Sequence, residues 1–395
     1  MRVAIISAVA LLLGGCGSGT DAPVTSTSSA LSAEPSGLVG EPSFVTPLED
    51  AVSVNVAAGF GTVVAWITHD AVSVATVDVS TGALADVEKI NGDLAPFAHP
   101  IERPAVRVGG EGDVDVAFTA LAGSGATVYF SEDLSLPEPI SGPPRPETNL
   151  VHMTTTPDGS PLLAWLEDST LSVARSDGGS LTEFEGVDDL TCDCCNPVPV
   201  VTDDSLVVAY RDRDTVDGEI VRNVAAIRSL DGGDSYESPV EVADDDWFLN
   251  GCPFTGPDLI EIEGALVVAW MDARQSVHPN QADSTIWVDR SLDGGATFGT
   301  DQAVAANGRH RWPVMTVDSS GVIHLIWETQ GPEGGLSYSW SEDQGETFSE
   351  PELLVDRAMS DGRAPTSPSV VYHEGHVVVS WANGVQGYVA AWPTG

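Results

Sequence analysis

One pattern returns seven times along this chain: a short apolar run, rich in β-branched residues, that ends in an aromatic. It reads Val63-Val64-Ala65-Trp66, Val114-Asp115-Val116-Ala117-Phe118, Leu162-Leu163-Ala164-Trp165 and Val207-Val208-Ala209-Tyr210. It continues as Val267-Val268-Ala269-Trp270, His324-Leu325-Ile326-Trp327 and Val377-Val378-Val379-Ser380-Trp381. Successive copies lie 45 to 60 residues apart. Runs this short and this apolar are strands covered on both faces. No helical period of useful length accompanies them. A repeat of this size in an all-β chain builds propeller blades or a related array.

Each copy sits inside a four-strand unit, with strands A to D counted from the axis outward. In the fifth unit the pattern predicts A over Asp258 to Glu263, B over Leu266 to Trp270, C over Thr285 to Ser291 and D over Gln302 to Ala305. The seventh unit supplies A (Ser369 to Tyr372), B (Val377 to Trp381) and C (Tyr388 to Trp392), and the sequence then ends one strand short. Pro42 to Leu48 resembles the D strands predicted at Glu237 to Val242 and Glu350 to Val355. Pairing that segment into the last blade closes the ring and removes a free edge. The expected fold is therefore all-β: a seven-bladed β-propeller of four-stranded antiparallel blades, spanning 42–395 as one domain and closed by its N-terminal strand.

The turns between C and D carry a family resemblance. Ser229 to Tyr236, Ser291 to Phe298 and Ser341 to Phe348 each follow Ser-x-Asp-x-Gly-x-Ser/Thr-aromatic. Ser131-Glu132-Asp133 and Ser176-Asp177-Gly178-Gly179 look like decayed copies. This resembles the Asp box of BNR-repeat propellers in the sialidase-like superfamily. The resemblance implies a structural role for Asp231, Asp293 and Asp343, whose carboxylates accept backbone N–H bonds while glycine takes the positive-φ position. Sialidases add three arginines, a Tyr–Glu nucleophile pair, an Asp acid, six blades and an Arg-Ile-Pro segment in the first A strand. Here there are seven units. Arg311-Trp312-Pro313 and Arg363-Ala364-Pro365 fall in units six and seven, and only Arg103-Pro104 lies near the start. Tyr372 falls in an A strand with no glutamate assignable to it. No catalytic residue carries over, and fold alone does not supply function.

The N-terminus reads as an address. Arg2 precedes the apolar run Val3 to Leu13, which is too short to span a bilayer. Leu13-Gly14-Gly15-Cys16 resembles a bacterial lipobox, which implies that Cys16 is the acylated first residue of an exported, envelope-anchored protein. Residues 1–16 are then the signal, and 17–41, rich in Gly, Ser, Thr, Ala and Pro, a flexible tether. The formal net charge is −43, and Lys89 is the only lysine. Such a surface repels nucleic acid and suits solubility in salt. Asp244-Asp245-Asp246 offers oxygens to Ca²⁺, or is a solvated loop.

Antiparallel strand order brings the D–A and B–C connections to one face. The scarce basic residues gather there: Arg103, Arg145, Arg211, Arg213, Arg274, Arg309, Arg311 and Arg363, with His69, His99, His152, His278 and His310. Guanidinium forks suit carboxylate or phosphate, so this rim predicts an anionic or glycan ligand. Local ion pairing, as in Arg211-Asp212-Arg213-Asp214, is the competing reading. Asp212 and Asp272, at equivalent places after B strands, are the carboxylates best placed for glycoside acid–base chemistry, or are turn formers. Trp247 and Phe248 offer a stacking platform or a loop plug. His324, His373 and His376 read as structural.

Four cysteines share the same face: Cys192-Asp193-Cys194-Cys195 before blade four and Gly251-Cys252-Pro253 before blade five. An exported chain makes disulfides the default, and Cys192–Cys195 with Cys194–Cys252 is the least awkward pairing. The alternative is thiolate binding of Cu(I) or Zn²⁺. This Cys-x-Cys-Cys…Gly-Cys-Pro pattern with three Asp boxes resembles exported bacterial sialidase-like proteins. Three functions follow as expectations: a binding module for a glycan, an anionic ligand or an envelope protein; a sialidase-like hydrolase; and a thiolate metal site. The first two require no cofactor.

Overall fold

A computed structural model describes residues 37–395 except 39, 145–147, 178–179, 193, 244–246 and 277–282. Cys16, Arg145, Asp193, Asp244 to Asp246 and His278 lie outside the described residues, as do the signal and most of the tether. The described chain forms seven antiparallel blades around an axis, with strand order A-B-C-D in each. The fifth blade runs Asp258–Ile262, Ala265–Asp272, Ser284–Ser291 and Gln302–Gly308. Blade two adds a two-residue strand, Ala95–Pro96, beside its B strand. Blade four inserts a hairpin, Asp214–Val216 with Glu219–Val221, between its B and C strands. Among the described residues the helices are two short 3₁₀ turns, Glu132–Leu134 and Ala358–Ser360.

The ring closes as the missing strand requires. Phe44–Leu48 pairs antiparallel with Gly387–Pro393, the C strand of blade seven, with Phe44 opposite Ala391 and Val45 opposite Ala390. Trp381 lies in the same sheet. The Thr46 hydroxyl donates to the Gly82 carbonyl at 2.8 Å, tying the closing strand to blade one.

The B strands explain the sevenfold pattern. All seven terminal aromatics are buried. Every residue of Ala265–Asp272 is buried because both faces pack on neighbouring sheets. Val207 and Ala209 of blade four, for example, share a core with Val268 and Trp270 of blade five. The aromatic ends need partners for their polar atoms. Trp165 Nε1 donates to Glu167 at 3.2 Å, Trp270 Nε1 to Asp272 at 2.9 Å, Trp327 Nε1 to His310 at 3.1 Å and Trp381 Nε1 to Ser360 at 3.2 Å. The Tyr210 hydroxyl donates to Asp188.

The Asp boxes are turn locks. Thr297 donates to Asp293 from its backbone at 2.9 Å and its hydroxyl at 2.7 Å, and Ser291 donates at 2.8 Å. Asp231 and Asp343 repeat this geometry. The Thr297 bonds hold the Asp293 carboxyl down at about 2. Gly295 has φ 84°, and a Cβ there would approach Val207 of blade four to 3.2 Å. Glycine is thus required by conformation, and the turn seats closely on the preceding blade.

Candidate functional site in the central channel

The A strands set the site. All seven line an axial cavity of ≈ 320 Å³, to which blades one to seven bring Asn55, Arg103, His152, Asn196, Asp258, Met315 and Ser369. Three A strands start with a bulge: the pairing register slips after Asn149, Arg311 and Thr366. The next residue takes positive φ in each case, Leu150 at 62°, Trp312 at 46° and Ser367 at 51°. Non-glycine residues adopt this region at a cost, so neighbours must hold them there. They do. Leu150 N–H donates to Glu102 at 3.0 Å, Trp312 N–H to the Thr255 hydroxyl at 3.0 Å, and the Ser367 hydroxyl donates to the Pro100 carbonyl at 2.8 Å. Burial pushes the Glu102 carboxyl up to about 7. Its hydrogen bonds and enclosure mark it as a structural clamp.

Three ionisable groups meet inside this ring. Arg103, just ahead of blade two, donates to the Pro368 carbonyl of blade seven. Its charge is felt by Asp258 of blade five and His152 of blade three. Burial, and secondarily the Arg103 charge, push His152 down to about 4, so the imidazole is neutral at pH 7. Its Nδ1 is buried and has no hydrogen-bond partner among the described residues. Burial raises Asp258 to about 6, against the opposing pull of the Met315 N–H, at 2.5 Å, and of Arg103. The site therefore presents a guanidinium, a neutral imidazole and a carboxylate poised near neutrality. Asn55 completes the polar lining, donating to the Pro104 carbonyl at 2.9 Å and accepting from Ser369.

The remaining predicted rim residues disperse. Arg213, Arg309 and Arg363 are exposed. Arg311 is half-buried, and its charge is felt by Glu328. Arg274 lies over the Trp287 ring, 4.2 Å from its centroid, and pairs with Asp272 and Asp301. Asp272 also accepts from both Trp270 and Trp287 at 2.9 Å, which occupies it structurally. Asp212 accepts the Arg213 N–H at 2.6 Å and is raised to about 6, chiefly by burial. His99 stacks on Phe97. Buried His310 takes the Trp327 bond and is pushed down to about 4 by burial. Trp247 is buried beneath Arg211, whereas Phe248 is exposed. Within the axial cavity the arginines are Arg103 and, toward the A–B end, Arg107, which pairs with Asp113 and Asp115. The Tyr372 hydroxyl bonds Ser319 at 2.7 Å in the exposed A–B region. Arg103 and His152 were legible in the sequence and Asp258 was not. Its signal was a carboxylate at the start of a channel-lining strand.

The cysteines converge. Cys194 is disulfide-bonded to Cys252, with Cα atoms 6.3 Å apart, joining the loops that lead into blades four and five. Cys192 and Cys195 are buried free thiols.

The BNR repeat-like domain family matches residues 159–381, more than half of the chain. No curated protein matches the sequence. Among solved structures, an ulvan lyase from a new polysaccharide lyase family superposes with a TM-score of 0.59 at 13% identity, over 91% of this chain and 96% of that one. An α-L-arabinanase of Penicillium chrysogenum complexed with arabinobiose gives 0.42 at 13%, over 63% and 94%. An α-L-arabinofuranosidase of Fusarium graminearum with arabinobiose gives 0.43 at 15%, over 59% and 74%. At 13% identity the likeness to the ulvan lyase is one of fold.

Proposed function

From the premise that this chain belongs to the BNR repeat-like family, we propose that it is an exported, lipid-anchored propeller that binds an acidic glycan in its central channel. The observation that carries this reading is the meeting of Arg103, His152 and Asp258 in one axial cavity. A sugar hydroxyl both donates and accepts, which suits a lining of imidazole, carboxylate and amide. An anionic substituent suits the guanidinium fork. At ≈ 320 Å³ the cavity lies at the small end of ligand pockets, so a terminal sugar unit fits better than an internal stretch. The name of the ulvan lyase, a polysaccharide lyase, agrees with this ligand class. Export and anchoring rest on Val3 to Cys16 alone.

Calorimetric titration with acidic oligosaccharides tests the reading. Arg103→Ala is expected to weaken binding by about tenfold or more, the range for loss of a charge-assisted contact. Arg213→Ala, on the exposed rim, is expected to leave it unchanged. Equal affinity for wild type and Arg103→Ala would sink the channel site.

A second reading has its own observation. A neutral, buried imidazole with an unpartnered nitrogen beside a guanidinium is placed to take a proton from a carbon next to a carboxylate that the arginine neutralises, while the neighbouring carbon's bond to the glycosidic oxygen breaks, a C=C bond forms and that oxygen leaves with a proton from water. That is elimination chemistry, and it predicts an ultraviolet-absorbing unsaturated product from an acidic polysaccharide. The product should disappear in His152→Ala while binding persists.

A further inference from the structure

The four cysteines are not used by the channel, and their arrangement is asymmetric. Cys194 and Cys252, both partly exposed, hold the disulfide. Cys192 and Cys195, each 1% exposed, remain thiols beneath it. Cys192 Sγ lies 3.5 Å from Cys194 Sγ and 3.4 Å from Cys195 Sγ, and Cys194 and Cys195 sulfurs are 3.9 Å apart. A turn closed by the Cys195 N–H on the Cys192 carbonyl, at 3.1 Å, keeps the sulfurs together.

The surroundings favour an anion there. Arg211 is fully buried and donates to three backbone carbonyls, those of Thr255, Arg222 and Met271, at 3.3, 2.6 and 2.7 Å. Among the described residues no carboxylate pairs with it. A buried guanidinium lacking a counter-ion is costly. The Arg211 charge reaches both free thiols, and that of Arg222 reaches Cys192. The hydrogen bond from Cys195, aided by these cations, lowers Cys192 to about 7, whereas burial keeps Cys195 protonated. Cys192, whose sulfur lies nearer Cys194 Sγ (3.5 Å) than that of Cys195 does (3.9 Å), is placed as the nucleophile, with Cys195 behind it as the resolver.

We propose that the four cysteines form a thiol–disulfide exchange centre, in which the disulfide held near the surface by Cys194 and Cys252 passes to the buried pair Cys192 and Cys195, and back. In the first step the Cys192 thiolate attacks Cys194 Sγ. The Cys192–Cys194 bond forms, the Cys194–Cys252 bond breaks, and Cys252 leaves as a thiolate that takes a proton. In the second, Cys195 gives up its proton and attacks Cys192, releasing Cys194 as the thiolate. Two electrons pass from the buried pair to the surface pair, two protons accompany them, and no outside oxidant enters. The staple between the two loops opens as the buried bond forms. The reduced surface pair is then open to an external disulfide.

Disulfide mapping tests this. The full chain is equilibrated in graded mixtures of reduced and oxidised glutathione, quenched in acid, blocked with N-ethylmaleimide and mapped by mass spectrometry of unreduced peptides. Wild type is expected to show both single-disulfide isomers, Cys194–Cys252 and Cys192–Cys195. Cys195→Ser should accumulate Cys192–Cys194 with Cys252 blocked, and Cys192→Ser should retain Cys194–Cys252 alone. The wild-type map decides the matter even where a variant fails to fold. Cys194–Cys252 as the sole single-disulfide species throughout, or a zinc or copper ion retained on all four sulfurs, overturns the proposal.

Discussion

Asp258 shows how a single residue can tune the channel. Burial raises it to about 6, so it sheds its charge as the pH falls through that value. While ionised it competes with an anionic ligand for Arg103, and His152, at about 4, stays neutral through the same window. Affinity for an acidic ligand is therefore expected to rise as pH drops from about 7.5 to about 5. The gain should be roughly fivefold, the worth of one close charge contact in a water-like medium. Titration calorimetry across that range checks it, and Asp258→Asn should flatten the profile. Asp272 tells the opposite story. Two indole N–H groups and Arg274 converge on it, so Asp272→Ala leaves buried donors unmet. A loss of about 3 kcal/mol in urea unfolding is expected, with glycan affinity unchanged. The sequence could not separate these two aspartates, because each follows or begins a strand and local pattern says nothing about which groups arrive from other blades. Trp165-Leu166-Glu167, where a carboxylate again stands two residues after the tryptophan, was the available hint that Asp272 is an anchor.

Turns and strands were far more legible than sites. The Asp boxes follow from local chemistry: one carboxylate, two donors on Thr297 and a glycine at φ 84° act within eight residues. The bulges at Leu150, Trp312 and Ser367 have no local signature in the sequence, since the groups that hold them come from a different blade. Their positive φ reshapes the start of three A strands, so the polar lining depends on contacts between elements. The Asp293 turn also gives a pH prediction. Its carboxyl is held at about 2 in the fold, below its ordinary value of 3.8. A depressed carboxylate contributes stability above the unfolded value and loses it as pH falls through the folded one. Asp293→Ala should accordingly lower Tm at neutral pH by an amount that shrinks between about pH 4 and about pH 2. Thermal melts of wild type and variant over that range measure it. A difference that stays constant with pH would detach the effect from the carboxylate.

At the scale of the whole molecule the seven-unit count and the closing strand were both readable, because a ring imposes a sum rule that a strand missing at one end must obey. The electrostatic consequence of the composition also belongs to this scale. Against 59 acidic residues stand 16 lysines and arginines, and several of the described cations are committed to internal partners such as Asp115 and Asp272. The surplus negative charge repels itself, and folding brings it closer together. Added salt shortens the screening length from about 10 Å at 0.1 M to about 3 Å at 1 M, which weakens that repulsion while touching buried pairs little. Tm should thus climb with sodium chloride over this range, and sucrose at equal osmolarity provides the control for non-ionic effects. An acidic ligand held by Arg103 is expected to behave oppositely, losing affinity as the attraction is screened. Salt therefore separates the two roles of charge here, stabilising the ring while loosening its ligand. A Tm that stays flat or falls with sodium chloride would mean that the acidic surface is already relieved by bound cations at low salt.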